Sequence, residues 1–479
     1  MKKSVKRISL FLILALVVTL IPNVSLLGVD TADAATKAYS RVYGKTRYDT
    51  SAKVLETYGK KGDIIIASGT NYPDALSGAT LAAETKASVF LTAKGKESQT
   101  IKYVKKYLSS TGTVYILGGK YAVSAALEKQ LKNIAPDRVV RLYGKDRYGT
   151  NLAILKEIYP KGTDKIVICS GKNYPDALSA SNGQYPIMLA GDKLTSAQKS
   201  YLAKNKNAEI VVLGGKYAVS ESVEKALKSY GTVKRVGGKT RYDTSKNYAY
   251  YCFQRGECKK AVAVYGDNFP DGLSGAILAI YNNGPVLLAT SANYEAASEA
   301  TERLGIEKGY VIGGTPLISD YAAAKIFVPA AIRWPSASNG YTALNKFRTT
   351  KNIWYWNKDD STKTVFNTNS SNTLSALTVN DELEAAAKVR ARELATEFSH
   401  TRPDGTICFT AYPGSVWGEN IAYGYGLTAE GAVEMWKEEG MTYSGQGHRR
   451  NMLGEYYNAV GIAGYHVDGV NYWVMALAL

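Results

Sequence analysis

Short unbroken runs of aliphatic and β-branched residues recur through the first two thirds of the chain. Each is closed by small residues and followed by a segment of helical period. "DIIIASG" (63–69) leads into "NYPDALSGATLAAE" (71–84), and "TVYILGG" (113–119) into "VSAALEKQLKN" (123–133). Runs without alternation predict strands buried on both faces. The segments after them predict helices, with Pro73 in a first turn, Asp74 at the positive end of the dipole and Ser124 as an N-cap. Strand, glycine loop, helix, repeated, predicts α/β units with mostly parallel sheets.

The last third reads differently. "TVNDELEAAAKVRARELATEF" (378–398) is the strongest helix signal in the chain, capped by Thr378 or Asn380, with Leu383, Ala386, Ala387, Val389 and Leu394 on its apolar face. Helices are also expected over 341–353 and 428–440, and an exposed polar loop over 357–374. "NAVGIAGYHVDGVNYWVMALAL" (458–479) predicts two strands about a turn at Asp468–Gly469. This end is expected to be α+β.

The α/β part also repeats. "YGKTRYDT" (43–50) returns as "YGKDRYGT" (143–150) and "GGKTRYDT" (237–244). "NYPDALS" (71–77) returns at 173–179 and as "NFPDGLS" (268–274), and "LGGKYAVS" (117–124) at 213–220 and as "IGGTPLIS" (312–319). A spacing of about a hundred residues makes each copy a domain. The boundaries drawn are 36–136, 137–231 and 232–330, a linker at 331–340 and a final domain at 341–479. Residues 1–35 read as a signal peptide, with a basic start, the apolar run "ISLFLILALVVTL" and a small-residue cleavage site. After its cleavage no stretch is long and apolar enough to span a membrane.

Charge sharpens the division. Of a formal +17, residues 36–340 carry 43 basic and 25 acidic side chains, and residues 341–479 carry 12 and 15. An exported cationic array suits an anionic wall polymer and not nucleic acid. The recurring "K-x-R" places Lys45, Arg47, Lys145, Arg147, Lys239 and Arg241 as candidate polymer contacts. An arginine paired with the aspartate of "PDAL" inside the fold would explain the recurrence equally well.

The three motifs resemble the type 2 cell-wall-binding repeat of clostridial and bacillar surface proteins. The resemblance implies three Rossmann-like repeats in a triangular trio, held non-covalently to an anionic secondary cell-wall polymer. The expected location is the cell surface of a Gram-positive bacterium, where surface-layer proteins are further possible partners. The third copy departs most: Gly237 replaces the tyrosine, Gly272 the alanine, and the Lys-Tyr pair of "GGKY" is lost.

The chain has three histidines, all in its last eighty residues. "FSHTRPDG", "GENIAYG", "AVEMWKEE", "GHRRNML" and "YWVMAL" resemble the CAP superfamily (cysteine-rich secretory proteins, antigen 5 and pathogenesis-related 1) in its bacterial form. The resemblance implies an α-β-α sandwich whose cleft can bind a divalent, zinc-like metal through two His and two Glu. Carried across, these are His400, Glu419, His448 and Glu439, with Glu438 as the alternative and Asn420 read as structural. His466 is read as a surface residue. Two uses of the cleft follow: binding a ligand or partner, which is preferred, or metal-assisted hydrolysis by a metal-bound water. Four cysteines lack metal-site spacing; Cys252 and Cys258 could close a small disulfide, and Cys169 reads as a buried hydrophobe.

Overall fold

The computed structural model describes residues 38–412, 414 and 416–479, so the signal-peptide segment lies outside the described residues. Three four-stranded parallel sheets form the α/β part. In the first, Ser88–Thr92, Ile64–Ser68, Val114–Leu117 and Val139–Leu142 lie side by side. The fourth strand comes from the start of the second copy. The second sheet likewise takes Gly231–Val236 from the start of the third copy. The third is completed by Tyr39–Val42, which pairs with Lys308–Ile312 across the length of the repeats. Each copy thus lends its first strand to the copy before it, and the N-terminal strand closes the ring.

The expected helices form where the caps predict. Pro73–Thr85, Pro175–Ser179 and Pro270–Tyr281 each begin on the proline, and Ser124 caps Ala125–Ile134 by accepting from the Leu127 amide. One apolar core runs through all three copies, with Ile65, Leu76, Val167, Leu178, Val262 and Leu273 among its buried members. The departure at Gly272 falls where the third copy packs on the second. A Cβ there would lie 2.7 Å from Leu178 Cδ2 of the second copy.

In the C-terminal part Thr378–Val379, Ala459–Val467, Val470–Ala478 and Val416–Tyr425 form one sheet, the last three antiparallel. Alternation sorts its residues onto two cores. Ile462, Trp473, Met475 and Leu477 face the helices Ser338–Arg348 and Ala429–Trp436, while Ala463, Val474 and Ala476 face Asp381–Leu394. This is an α-β-α sandwich. Asn380 is the cap of the long helix, accepting from the Leu383 amide.

Several local expectations change. The polar stretch 357–374 contains the strand Lys363–Phe366, paired with Ile353–Trp356, because Val365 and Phe366 supply apolar positions that its polar average hid. The stretch read as a linker is partly helical, and Arg333 within it is buried. Val389 is exposed instead of packed in the core. Cys252 and Cys258 are unbonded thiols, and Cys169 is buried as expected.

Candidate functional site

The six repeat cations divide into two classes. Lys45, Lys145 and Lys239 are exposed, while Arg47, Arg147 and Arg241 are half-buried at the joints between copies. Each arginine donates to a carbonyl of its own copy: Gly69, Gly171 and Gly266 at 2.6, 2.7 and 2.7 Å. Each also stacks on an aromatic ring of the preceding copy, namely Phe269, Tyr72 and Tyr174. Arg147 and Arg241 additionally donate to those tyrosine hydroxyls.

The "PDAL" aspartates sit at the same joints. Burial pushes the carboxyls of Asp74 and Asp271 up against the opposing pull of Thr150 with Arg147, and of Thr50 with Arg47. Burial raises Asp176 to about 6, with Arg241 opposing. The arginine and the aspartate are therefore electrostatic neighbours across copies, and among the described residues no ion pair joins them. At the first joint a cleft of about 310 Å³ is lined by Asn71, Asp74, Tyr121, Lys145, Arg147 and Thr150. Tyr121, like Tyr217 in the second copy, projects fully into solvent.

A second arginine set was missed in the sequence. Arg41, Arg141 and Arg235 donate to the carbonyls of Gly313, Gly118 and Gly214 at 3.0, 2.8 and 2.8 Å. Each also pairs with an acid of the preceding copy, respectively Asp320, Glu128 and Glu224. The signal was present as an arginine three residues before Gly44, Gly144 and Gly238, outside the motif boundaries first drawn.

In the C-terminal domain a cleft of about 400 Å³ is lined by His400, Glu419, Glu438, Ser444, His448 and Asn451, among others. His400 Nδ1 is 2.8 Å from Glu419 Oε1, and His448 Nδ1 is 2.7 Å from Glu438 Oε1. Glu438 thus occupies the place expected of Glu439. The Glu439 side chain is 67% exposed and, among the described residues, reaches only Arg449, at 3.7 Å. The reason is local: the chain turns at Glu438, which has a left-handed φ of 46°, so successive carboxylates diverge. The Glu438 carboxylate also accepts from the amides of His448 and Arg449, while Gln446 donates to its carbonyl.

Glu419 is more deeply engaged. It lies on the strand Val416–Tyr425 and is buried. Arg390 Nε donates to its Oε2 at 2.9 Å, Arg390 Nη2 to its Oε1 at 3.2 Å, and the Tyr412 hydroxyl to its Oε2 at 2.6 Å. Burial alone would raise this carboxyl, but His400, Arg390 and Tyr412 outweigh it and hold it at about 2. Sequence reasoning missed Arg390, hidden in a helical pattern, and Tyr412, which stands close before Glu419 but outside the quoted motifs. Asn420 is structural, its amide donating to the His448 carbonyl at 3.0 Å. His466 is half-buried and bonds to Asn471.

The four expected ligands do not form one cluster. Among the described residues one group of three ligating atoms lies within 4.8 Å of one another: His400, Cys408 and Glu419. This group could hold a metal ion. Cys408 enters it from the stretch between His400 and Glu419, where no motif marked it. Burial, reinforced by Glu419, raises its thiol to about 11.

Comparison with family models matches the cell wall binding domain 2 model at residues 41–128, 141–224 and 235–323, more than half of the chain. The chain belongs to the cell wall binding domain 2 (CWB2) family. Residues 341–477 match the cysteine-rich secretory protein family model, CAP. The three CWB2 repeats indicate cell-wall binding, and a CAP domain follows them. Among curated relatives, the N-acetylmuramoyl-L-alanine amidase LytC of Bacillus subtilis is 29% identical over 314 residues, covering 64% of this chain and 61% of that protein. The amidase enhancer of the same organism is 29% identical over 288 residues, covering 58% and 39%. The chain thus spans less than two thirds of either relative. Of solved structures, Cwp8 from Clostridium difficile aligns with a TM-score of 0.54 at 26% identity, covering 60% of this chain and 51% of that one.

Proposed function

We propose that the CWB2 ring holds this protein non-covalently to an anionic cell-wall polymer, and that the CAP cleft binds a ligand through a divalent metal. The anchoring reading rests chiefly on the cleft at the first joint, where exposed Lys145 and half-buried Arg147 stand beside the projecting Tyr121. Each arginine has a backbone bond and a stacked ring, and Arg147 and Arg241 a tyrosine bond besides, which fixes them as pre-positioned donors. The lysines have no such task. An anionic glycan laid across a joint would meet lysine charge, arginine donors and an aromatic face together. The third joint offers less, since Pro316 stands where the tyrosine would be.

The lysines therefore supply the cleanest test. Replacing Lys45, Lys145 and Lys239 together with glutamine should weaken binding to purified walls at least tenfold without shifting the melting temperature. Binding should also fall as salt is raised, because exposed charges are screened over about 10 Å at 0.1 M. Equal binding to walls stripped of their anionic polymer would end this reading.

The donor chemistry in the CAP cleft fits a metal in a particular way. Both histidines spend Nδ1 on a carboxylate, and among the described residues neither Nε2 has a hydrogen-bond partner. Glu419 already accepts from three side chains, so its role would be to orient His400 and raise its basicity; Glu438 would do the same for His448. His400 and His448 would hold the ion, which would supply an electrophilic centre for an oxygen of the ligand. Ser444, the hydroxyl in the cleft lining, pairs with Thr442, which favours a binding role over nucleophilic catalysis. Titration with Zn2+ should show uptake that falls on acidification, since protons compete for imidazole nitrogen. His400→Ala and His448→Ala should each lose at least tenfold in affinity while keeping the fold. A wild type that takes up no metal, beside a His400→Ala variant with a markedly lower melting temperature, would assign these residues to loop architecture.

A further inference from the structure

A larger cavity lies elsewhere, at the junction of the third repeat with the CAP domain. It measures about 630 Å³, within the ~300–1,000 Å³ range of small-molecule sites. Its lining combines Arg255 and Arg303 from the repeat, Trp334 from the connecting segment, and Lys388, Val389 and Arg392 from the long CAP helix. The exposed Val389 and the half-buried Trp334 thereby find a common setting.

The charges here do not balance. Glu302 is the one acid in the lining, and it is already shared. Its Oε1 lies 3.4 Å from Arg392 and its Oε2 4.0 Å from the buried Arg333, while the Tyr465 hydroxyl donates to it at 3.4 Å. Lys388 is met by Glu384 at 2.9 Å. Arg255 donates to the carbonyls of Glu302 and Arg303, and Arg303 lies over the Tyr250 ring at 4.1 Å. Among the described residues neither Arg255 nor Arg303 has a carboxylate within ion-pair distance. Two guanidinium groups without an ion-pair partner are thus gathered into one concavity, beside an indole.

We propose that this junction cavity is a further binding site, which takes a phosphorylated sugar unit. The guanidinium forks match phosphate oxygens, and the cationic walls concentrate an anion in the concavity. Trp334 adds an apolar face of the kind that packs against a sugar ring, with Val389 beside it. The site draws on both domains, so a bound glycan would also brace the CAP domain against the ring. It is separate from the joints between repeats and does not depend on how those are used.

All six tryptophans lie between residues 334 and 473, so indole signals report on this half of the molecule. The experiment adds glucose 1-phosphate to the chain from residue 36 onward, labelled with 15N-tryptophan, with Trp334 assigned through Trp334→Phe. The Trp334 signal should shift saturably with glucose 1-phosphate, tenfold more weakly with inorganic phosphate and not with glucose. In the Arg303→Gln/Lys388→Gln double variant the affinity should drop at least tenfold with the other indole positions unchanged. The triple-lysine variant of the repeat joints should bind glucose 1-phosphate as the wild type does, even if its wall binding is lost. An unmoved Trp334 signal would overturn the proposal. Equal affinity for inorganic phosphate, or wild-type affinity in the Arg303/Lys388 variant, would overturn it as well.

Discussion

Replacing Arg390 with methionine should destabilise the CAP domain by about 3–5 kcal/mol, the usual cost of leaving one member of a buried ion pair alone. Arg390 and Glu419 have side chains 0% and 1% exposed. Arg390 further bonds Glu393 on its own helix and ties the Ser399 carbonyl, directly before His400, to that helix. The variant therefore loses the support of the cleft along with the pair. Tryptophan fluorescence should show a melting temperature lower by roughly 10–20 °C. The sign of the pH dependence follows from Glu419. Its native carboxyl is held at about 2, below the ordinary 4.5, so the unfolded chain binds the proton more readily. The stabilisation, on the order of 3 kcal/mol, is fully present above the unfolded value and lost as the pH falls through about 2. Glu419→Gln should flatten this acid limb. Parallel acid limbs in wild type and Glu419→Gln, or an unchanged melt in Arg390→Met, would contradict the assignment.

Starting the chain at residue 44 should open the ring. The deletion removes the strand Tyr39–Val42, whose ends Tyr39 and Val42 are buried, and exposes the edge of Lys308–Ile312. It also removes Arg41 from Gly313 and Asp320. Two buried side chains at ~1.5–3 kcal/mol each and a short ladder at ~1 kcal/mol per bond give a loss on the order of 5 kcal/mol. An unpaired parallel edge is also a template for association. Calorimetry should show a lower first transition, and size-exclusion chromatography should show oligomers. A synthetic peptide of residues 36–46 should reverse both effects. Monomeric protein with a wild-type melt would show that the ring does not need its closing strand.

Much of this was legible locally. Pro73 at N1, Ser124 and Asn380 as caps, and the unbroken strands of the repeats depend on interactions a few residues apart. Those interactions are written consecutively in the chain. The pairing of His400 with Glu419 was accessible only through motifs resembling a known family. The Glu438 and Glu439 alternatives were not separable, because a single left-handed residue decides which carboxylate enters the cleft. The hairpin through Lys363–Phe366 escaped because four strand residues sit inside a polar stretch, and average polarity masks a short alternating segment.

The sequence by itself determined three α/β repeats, a cationic array and a separate histidine-bearing domain, since repetition, charge and hydrophobic period are properties of the chain order. Only the tertiary structure decided where the cations sit. It assigned Arg47, Arg147 and Arg241 to the joints because each repeat gives its first strand to its predecessor. It also brought Arg390, Tyr412 and Cys408 to Glu419, and gathered Arg255, Arg303 and Lys388 at one junction. The physical reason is common to all of these. Counter-charges, hydrogen-bond donors and ring faces recruited from up to 281 residues away carry no periodic signature, and the balance between paired and unpaired charge exists only once the chain has closed on itself.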